Sequence, residues 1–396
     1  MKETVTLNTI FQHAGVAYRT RHRIPFFQRK AMQAIEACRT PALGGYVDQC
    51  EHCGYKRVRY NSCRNRHCPN CQGLARKKWV HAREQELLPV PYFHVVFTLP
   101  EELKAITLIN PRILYRLLFQ AASETLLQLG RDDRHLGGQI GIIAVLHTWG
   151  QAMLAHPHLH CIVTGGGISN DGSQWATAKK TTPKRDFFIH VNVISELFKK
   201  KFLDHLKDEY RAGGLKWVGE IRHLQEEKAF KHVLDQLYAK QWVTYCKRPF
   251  AGPKQVIGYL GHYTHRVAIS NQRIVSFENG YVTFRWKDYR DQHKTKLMTL
   301  SVDEFIRRFL LHILPANFYR IRYYGLLANR DRRGKLQRCR KLLDVKSELE
   351  SLAAKHKTFD VLLMELCGID VWCCPKCLKG RMIRVKIMQR ITGLPP

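Results

Sequence analysis

Six metal-binding side chains crowd into one short stretch of this 396-residue chain, at the spacing Cys50-x2-Cys53-x9-Cys63-x3-His67-Cys68-x2-Cys71. The surrounding "QCEHCGYKRVRYNSCRNRHCPNCQ" holds too few apolar residues to fold unaided, so a bound ion must do what burial cannot. Two Cys-x2-Cys knuckles with 14 residues between them suit a tetrahedral Zn²⁺, each knuckle presenting two thiolates to one ion. Cys50, Cys53, Cys68 and Cys71 are the expected structural ligands. Cys63 and His67 exceed four-coordination, and either serve a second ion or replace a knuckle member. A second fragment, Cys373-Cys374-Pro375-Lys376-Cys377, is half of a site that Cys367 or Cys339 could complete. Thirteen cysteines, an odd number bunched into close pairs, point to metal ligation in a reducing compartment.

The charge narrows the class of partner. Lys and Arg number 65 against 33 Asp and Glu, a formal +32 with neutral histidines. The excess is +10 over residues 1–91, +8 over 92–270 and +14 over 271–396, so no segment is neutral. Such a spread suits a long polyanion, because each phosphate neutralised releases counterions; the plainer alternative is a solvated basic surface. Lys56 and the arginines Arg57, Arg59, Arg64 and Arg66 between the knuckles are expected to touch phosphate, as is the basic run containing Arg330, Arg332 and Arg333. No apolar run reaches about 18 residues, which argues against a membrane span. The expected setting is the reducing cytoplasm.

Periodicity predicts an α+β chain. A helix is expected over 26–40, a strand over 92–100, and a helix over 110–130 with Pro111 just inside an Asn cap and Gly at its end. "QIGIIAVLHTWG" and "HLHCIVTGGG" are β-branched runs separated by seven residues, a pattern for an antiparallel pair. Amphipathic helices follow over 192–214 and 220–242, a shorter helix begins near Pro253, a hairpin turns at Asn279-Gly280, and another helix spans 301–314. The organisation read from this is a helical segment 1–45, a zinc-binding module 46–90, an α+β core 91–270 and a basic C-terminal region 271–396.

The chemistry concentrates in "HTWGQAMLAHPHLHCIVTGGG". Alternate strand residues share a face, so His158 and His160 point the same way, about 7 Å apart at roughly 3.3 Å per residue. Two such imidazoles can hold a divalent ion, with His147 at the end of the preceding strand folding back as a third ligand. The string His156-Pro157-His158-Leu159-His160 also approximates the histidine-triad nucleotide hydrolases, although Pro157 is awkward there and that family has no use for a zinc module. Further on, Tyr259 and Tyr263 stand four apart, one helical turn. A phenol attacks a phosphodiester only with help from a cation at the phosphate, so a metal and a tyrosine together suffice to break DNA with covalent capture.

Four blocks in order, "YNSCRNRHCPNCQ", "HTWGQ…HPHLHCIVTGGG", "YLGHYTHRVAISNQRI" and "RIRYYGLLANR", resemble the two-tyrosine rolling-circle transposases of the insertion-sequence-91 family, members of the HUH endonucleases. The resemblance spans essentially the whole chain. It implies a nuclease core with a central antiparallel sheet, a zinc-binding N-terminal domain, and a Mg²⁺ or Mn²⁺ held by His158, His160 and a third ligand, with His147 preferred over Gln151 and His156. It implies Tyr259 and Tyr263 as nucleophiles that form a 5′-phosphotyrosine and free a 3′-OH on single-stranded DNA at element ends and in target DNA. His262 stands where relatives carry a basic Arg or Lys, with His265 and Arg266 as substitutes for that charge. Two rivals remain at this stage, a non-catalytic zinc-finger DNA-binding protein and the nucleotide hydrolase, and no pattern sets an oligomeric state.

Overall fold

The structure, a computed structural model, describes residues 5–177, 189–247, 256, 258, 261, 264–289, 291–345 and 358–391. Its centre is a sheet in the order β11-β4-β5-β3-β7, with β6 attached to β5: β3 is Tyr92–Thr98, β4 Gly138–Trp149, β5 Ala155–Ser169, β6 Trp175–Thr177, β7 Thr244–Lys247 and β11 Ile321–Gly325. The expected pair of β-branched runs is here the antiparallel β4–β5 ladder, with His147 opposite His158 and Val145 opposite His160. Both strands are buried along most of their length, which is why they read as near-continuous apolar runs rather than alternating ones.

The two faces of this sheet differ. On one, Val95, Phe97, Ile142, Ala144, Leu146, Leu159, Cys161 and Val163 pack beneath helices α4 (Lys104–Ile109), α5 (Pro111–Arg131), α6 (Val191–Arg211) and α7 (Glu227–Ala239) in the largest core. The run expected as one helix over 220–242 divides into a 3-10 turn, Gly219–Gln225, and α7. Ile221 and Leu224 are both buried there, and their spacing of three places them on one side of a 3-10 turn. The opposite face carries Ile143, Val145 and Ile162 and then, further along the strands, the histidines; α3 (Gln72–Glu84) and α9 (Arg332–Leu342) pack on it through Trp79, Val80, Leu336 and Cys339.

Two smaller sheets flank the core. In one, β8 (Ile274–Glu278), β9 (Tyr281–Asp288) and β10 (Lys294–Ser301) form a meander. Its first turn holds Asn279 and Gly280 at φ 51° and 77°, the left-handed pair that a tight hairpin requires. Its buried side, with Val282 and Phe284, packs on α8 (Val302–Leu310) and on α1 (Leu7–Arg21) and α2 (Phe26–Glu36), where Phe11 meets Phe309 edge to face at 5.5 Å. In the other, β1 (Gly45–Cys50) lies between β2 (Lys56–Tyr60) and β12 (Met382–Met388). The last third of the chain therefore contributes a strand to every sheet. Among the described residues no helix is long and apolar enough to cross a membrane.

Candidate active site and metal centres

His147, His158 and His160 come together on the face that carries α3 and α9, further along the strands from Ile143, Val145 and Ile162. Their ligand atoms all lie within 4.8 Å of one another. The cause is local: alternation puts His158 and His160 on one side of β5, and the β4–β5 register sets His147 opposite His158. The rings approach edge to face at 5.4 Å (His147 to His158), 4.7 Å (His147 to His160) and 4.9 Å (His158 to His160). Such a set of imidazoles fits one divalent ion. His147 and His160 are buried and His158 is half-buried, so the site opens through His158.

The neighbours fix which nitrogens are offered. His158 Nδ1 donates to the His156 carbonyl at 2.6 Å, leaving Nε2 as its ligand atom. His160 Nδ1 lies 2.9 Å from Nε2 of His94, a buried residue of β3 whose ring stacks on it at 5.1 Å. A hydrogen bond to the far side of an imidazole orients it for a metal. Trp149 stacks on His147 with ring centroids 4.8 Å apart. Burial pushes the His158 imidazole down to about 4 and that of His160 well below its usual range, so both are neutral at physiological pH, the form that ligates. Gln151, weighed as a third ligand, instead donates to the Tyr289 hydroxyl at 2.8 Å.

Tyr259, Tyr263 and His262 lie outside the described residues. Around them, Val256, Gly258, Gly261 and Thr264 are helical. Val256 is fully buried with Ile143, Val145 and Ile162 on the histidine face, and Gly261 abuts α3 so closely that a Cβ there would sit 2.3 Å from Val80 Cγ2. Arg320, 8% exposed, holds the far end of this segment: its Nη1 donates to the Arg266 carbonyl at 2.9 Å and its Nη2 donates to the Thr264 carbonyl. The Arg320 carbonyl accepts from Leu146 N, the residue before His147, at 2.9 Å. A cleft of about 560 Å³ beside this segment is lined by Arg76, His265, Arg266 and Arg273, and the positive charge of Arg266 reaches His158 and His160.

The cysteines divide differently from the single expected site. Cys68 and Cys71 are joined by Cys63 and by Cys38, just beyond α2; Cys50 and Cys53 turn away and meet Cys374 and Cys377. In the first group Sγ–Sγ distances are 3.6 Å for Cys38 to Cys71 and for Cys63 to Cys71. Four sulfurs around Zn²⁺ at about 2.3 Å are about 3.8 Å apart, so the spacing fits that ion and is far too long for a disulfide. Cys63 is thus a first-rank ligand of this group, while His67 stands outside it, fully enclosed and accepting from Leu314 N at 3.4 Å. Cys38 and Cys68 belong to the same core as Trp149, the residue that stacks on His147.

Residues 10–99 match the family described as "Transposase zinc-binding domain", and residues 141–335 match one described as "Putative transposase". The protein named "Transposase for insertion sequence element IS801", from Pseudomonas savastanoi pv. phaseolicola, is 28% identical over 297 residues, 74% of this chain and 68% of that relative. A protein named "Putative transposase y4qJ", from Sinorhizobium fredii, is 51% identical over 387 residues, covering 98% of this chain and 96% of its own length. This chain belongs to the insertion-sequence-91 family of transposases. Among solved structures, a conjugative relaxase, TRWC, in complex with ORIT DNA overlaps 43% of the transposase and 68% of its own chain, at 12% identity and a TM-score of 0.23, too loose a likeness to argue from.

The arginines of the transposase sort by what they touch. Arg59 Nε lies 2.5 Å from the wholly buried Asp48 carboxylate, and Arg57 donates to the Val371 carbonyl at 2.9 Å. Arg66 donates to the Phe318 and Pro315 carbonyls, and Arg332 to Leu327 and Glu86. These four, expected at phosphate, are engaged by carboxylates and backbone carbonyls of the chain itself. Arg64, Arg266, Arg330 and Arg333 are exposed. His94, Cys38 and Arg320 were not singled out from the sequence; an unmatched thiol 25 residues before Cys63 was the one available hint for Cys38.

Proposed function

We propose that this transposase nicks and rejoins single-stranded DNA at the ends of an insertion element, using Tyr259 and Tyr263 as nucleophiles. The observation that carries the reading is the convergence of His147, His158 and His160 on one sheet face, the same face on which Val256, three residues before Tyr259 in sequence, is buried. A Mg²⁺ or Mn²⁺ held by the three imidazoles would supply positive charge at the scissile phosphate.

The chain's own residues do the rest. Arg266, with Arg76 and Arg273 in the adjoining cleft, attracts and orients the phosphodiester. One phenol oxygen attacks phosphorus, the P–O3′ bond breaks, and the 3′-oxygen leaves with the proton that the phenol gives up. The product is a 5′-phosphotyrosine and a free 3′-OH. Attack by a 3′-OH on the phosphotyrosine reverses the step and joins strands, and a second tyrosine permits a second cleavage before the first is resolved. The exposed Arg64, Arg330 and Arg333 and the zinc-bearing N-terminal part grip the flanking DNA.

The test incubates purified protein with a single-stranded oligonucleotide of the element end and Mg²⁺ or Mn²⁺, and looks for an adduct that survives SDS. Tyr259→Phe combined with Tyr263→Phe is expected to abolish it, and His158→Ala with His160→Ala to reduce it at least a hundredfold. Cleavage that persists in the double phenylalanine variant refutes the tyrosine chemistry; tight binding with no adduct for any end sequence favours a non-catalytic DNA-binding role.

A further inference from the structure

We infer that Cys50, Cys53, Cys374 and Cys377 form a second structural zinc site, a clasp that closes the C-terminal part of the chain onto the N-terminal ribbon. Its ligands come from two knuckles more than 300 residues apart in sequence, and Cys374 and Cys377 lie beyond both segments that the family matches cover. The inference does not depend on the tyrosine chemistry.

The two knuckles have the same backbone. In the first, Gly54 N donates to the Cys50 carbonyl at 3.0 Å; in the second, Leu378 N donates to the Cys374 carbonyl at 2.9 Å. The residue after each second cysteine is left-handed, Gly54 at φ 68° and Leu378 at φ 56°. A leucine in that conformation is unfavourable, yet Leu378 adopts it in the turn that brings both sulfurs of the knuckle to one cluster. Gly380 N lies 3.4 Å from Cys377 Sγ, the kind of N–H that steadies a thiolate.

The sulfurs then meet across the chain ends. Cys50 Sγ is 3.7 Å from Cys377 Sγ, Cys53 Sγ is 3.7 Å from Cys374 Sγ, and all four lie within 4.8 Å of one another. These distances match the edge of a zinc–sulfur tetrahedron, about 3.8 Å. The approach is close enough that a Cβ on Gly380 would sit 2.6 Å from Cys50 Sγ. Pairing of β12 with β1 from Gly45↔Met388 to Cys50↔Met382 brings the knuckles into register.

Apolar burial does not account for the closure. Among the described residues the local core is only Cys50, Cys374 and Met382, with Tyr55 and Cys377 against it. Cys53 is exposed, and Ile383, Val385 and Ile387 on β12 are 48%, 48% and 67% exposed. A ribbon with so little inside is stable when a metal holds its ends. Through the clasp, Arg57 reaches the Val371 carbonyl and Arg59 lies over the Trp372 ring at 5.7 Å.

The zinc content of the full-length protein, measured by mass spectrometry of the metal, is expected to be two per chain. Cys374→Ser combined with Cys377→Ser should lower it to one, and Cys63→Ser combined with Cys71→Ser should also leave one. In wild type, iodoacetamide mapping gives an answer that does not depend on the variants folding: Cys53 and Cys377, accessible if free, should be protected in zinc-loaded protein and modified together once a chelator strips the metal. Retention of two zinc ions by the Cys374/Cys377 variant overturns the clasp. So does alkylation of Cys53 and Cys377 at the same rate before and after chelation.

Discussion

Arg320→Met removes a guanidinium that joins the segment after the tyrosines to the strand of His147. Two donated bonds disappear, to the carbonyls of Arg266 and Thr264; bonds from a charged donor contribute roughly 1.5–3 kcal/mol each, so about 3–6 kcal/mol is lost. Against this, burial brings the Arg320 guanidinium from 12.5 down to about 10, a charge penalty of roughly 3 kcal/mol that the variant no longer carries. The backbone bond from Leu146 N to the Arg320 carbonyl survives because it belongs to the main chain. The net change in stability is therefore about 0–3 kcal/mol, a melting shift of a few degrees in a chain this long.

The site should feel the change far more. With the Thr264 and Arg266 carbonyls released, residues 264–266 lose their tie to the histidine strand; under the proposed tyrosine mechanism, misplacement of the adjoining nucleophile by about 1 Å costs up to roughly a hundredfold in rate. The assay compares the rate of SDS-resistant adduct formation at saturating oligonucleotide with the melting temperature and the oligonucleotide Kd. The rate is expected to fall about 10- to 100-fold with Kd within about twofold, amide exchange at residues 264–268 to quicken, and Arg320→Lys to be intermediate. A rate that falls only in proportion to the unfolded fraction, or that matches wild type, would refute Arg320 as a positioning residue.

His94→Phe should keep the fold and weaken Mn²⁺ binding about 10- to 100-fold by releasing the His160 ring; unchanged affinity in titration calorimetry would count against that role. His312 Nε2 donates to the Met153 carbonyl while its Nδ1 accepts from the Thr148 hydroxyl, and burial holds its pKa down at about 4. The folded value lies below the unfolded one of about 6.5, so stability is intact above pH about 6.5 and declines by up to roughly 3 kcal/mol as pH falls through 4. His312→Gln should flatten that portion of a urea-denaturation series across pH; an identical slope would exclude His312 as a source. Arg330→Ala with Arg333→Ala, both exposed, should reduce the salt slope of single-strand binding by about 1.4 while leaving the cleavage rate at saturating DNA unchanged, and a slope equal to wild type would remove these residues from the interface.

Much of the site's logic is written locally. The period of two along "HPHLH" puts His158 and His160 on one face, Asn279-Gly280 demands its turn, Pro111 opens α5, and paired cysteines in an apolar-poor stretch announce a metal. Each follows from backbone geometry over a few residues, which a sequence states directly. Which groups meet across the molecule is another matter. A Cys-x2-Cys knuckle presents two thiolates, but whether its partner pair is 15 or more than 300 residues away depends on strand pairing, and here β12 on β1 sends Cys50 and Cys53 to Cys374 and Cys377 while the end of α2 brings Cys38 to Cys63, Cys68 and Cys71. The same holds for charge. The +32 in the composition says nothing of which guanidinium meets a buried carboxylate or carbonyl, because Arg59 and Arg64 look alike until packing places Asp48 beside one and solvent beside the other.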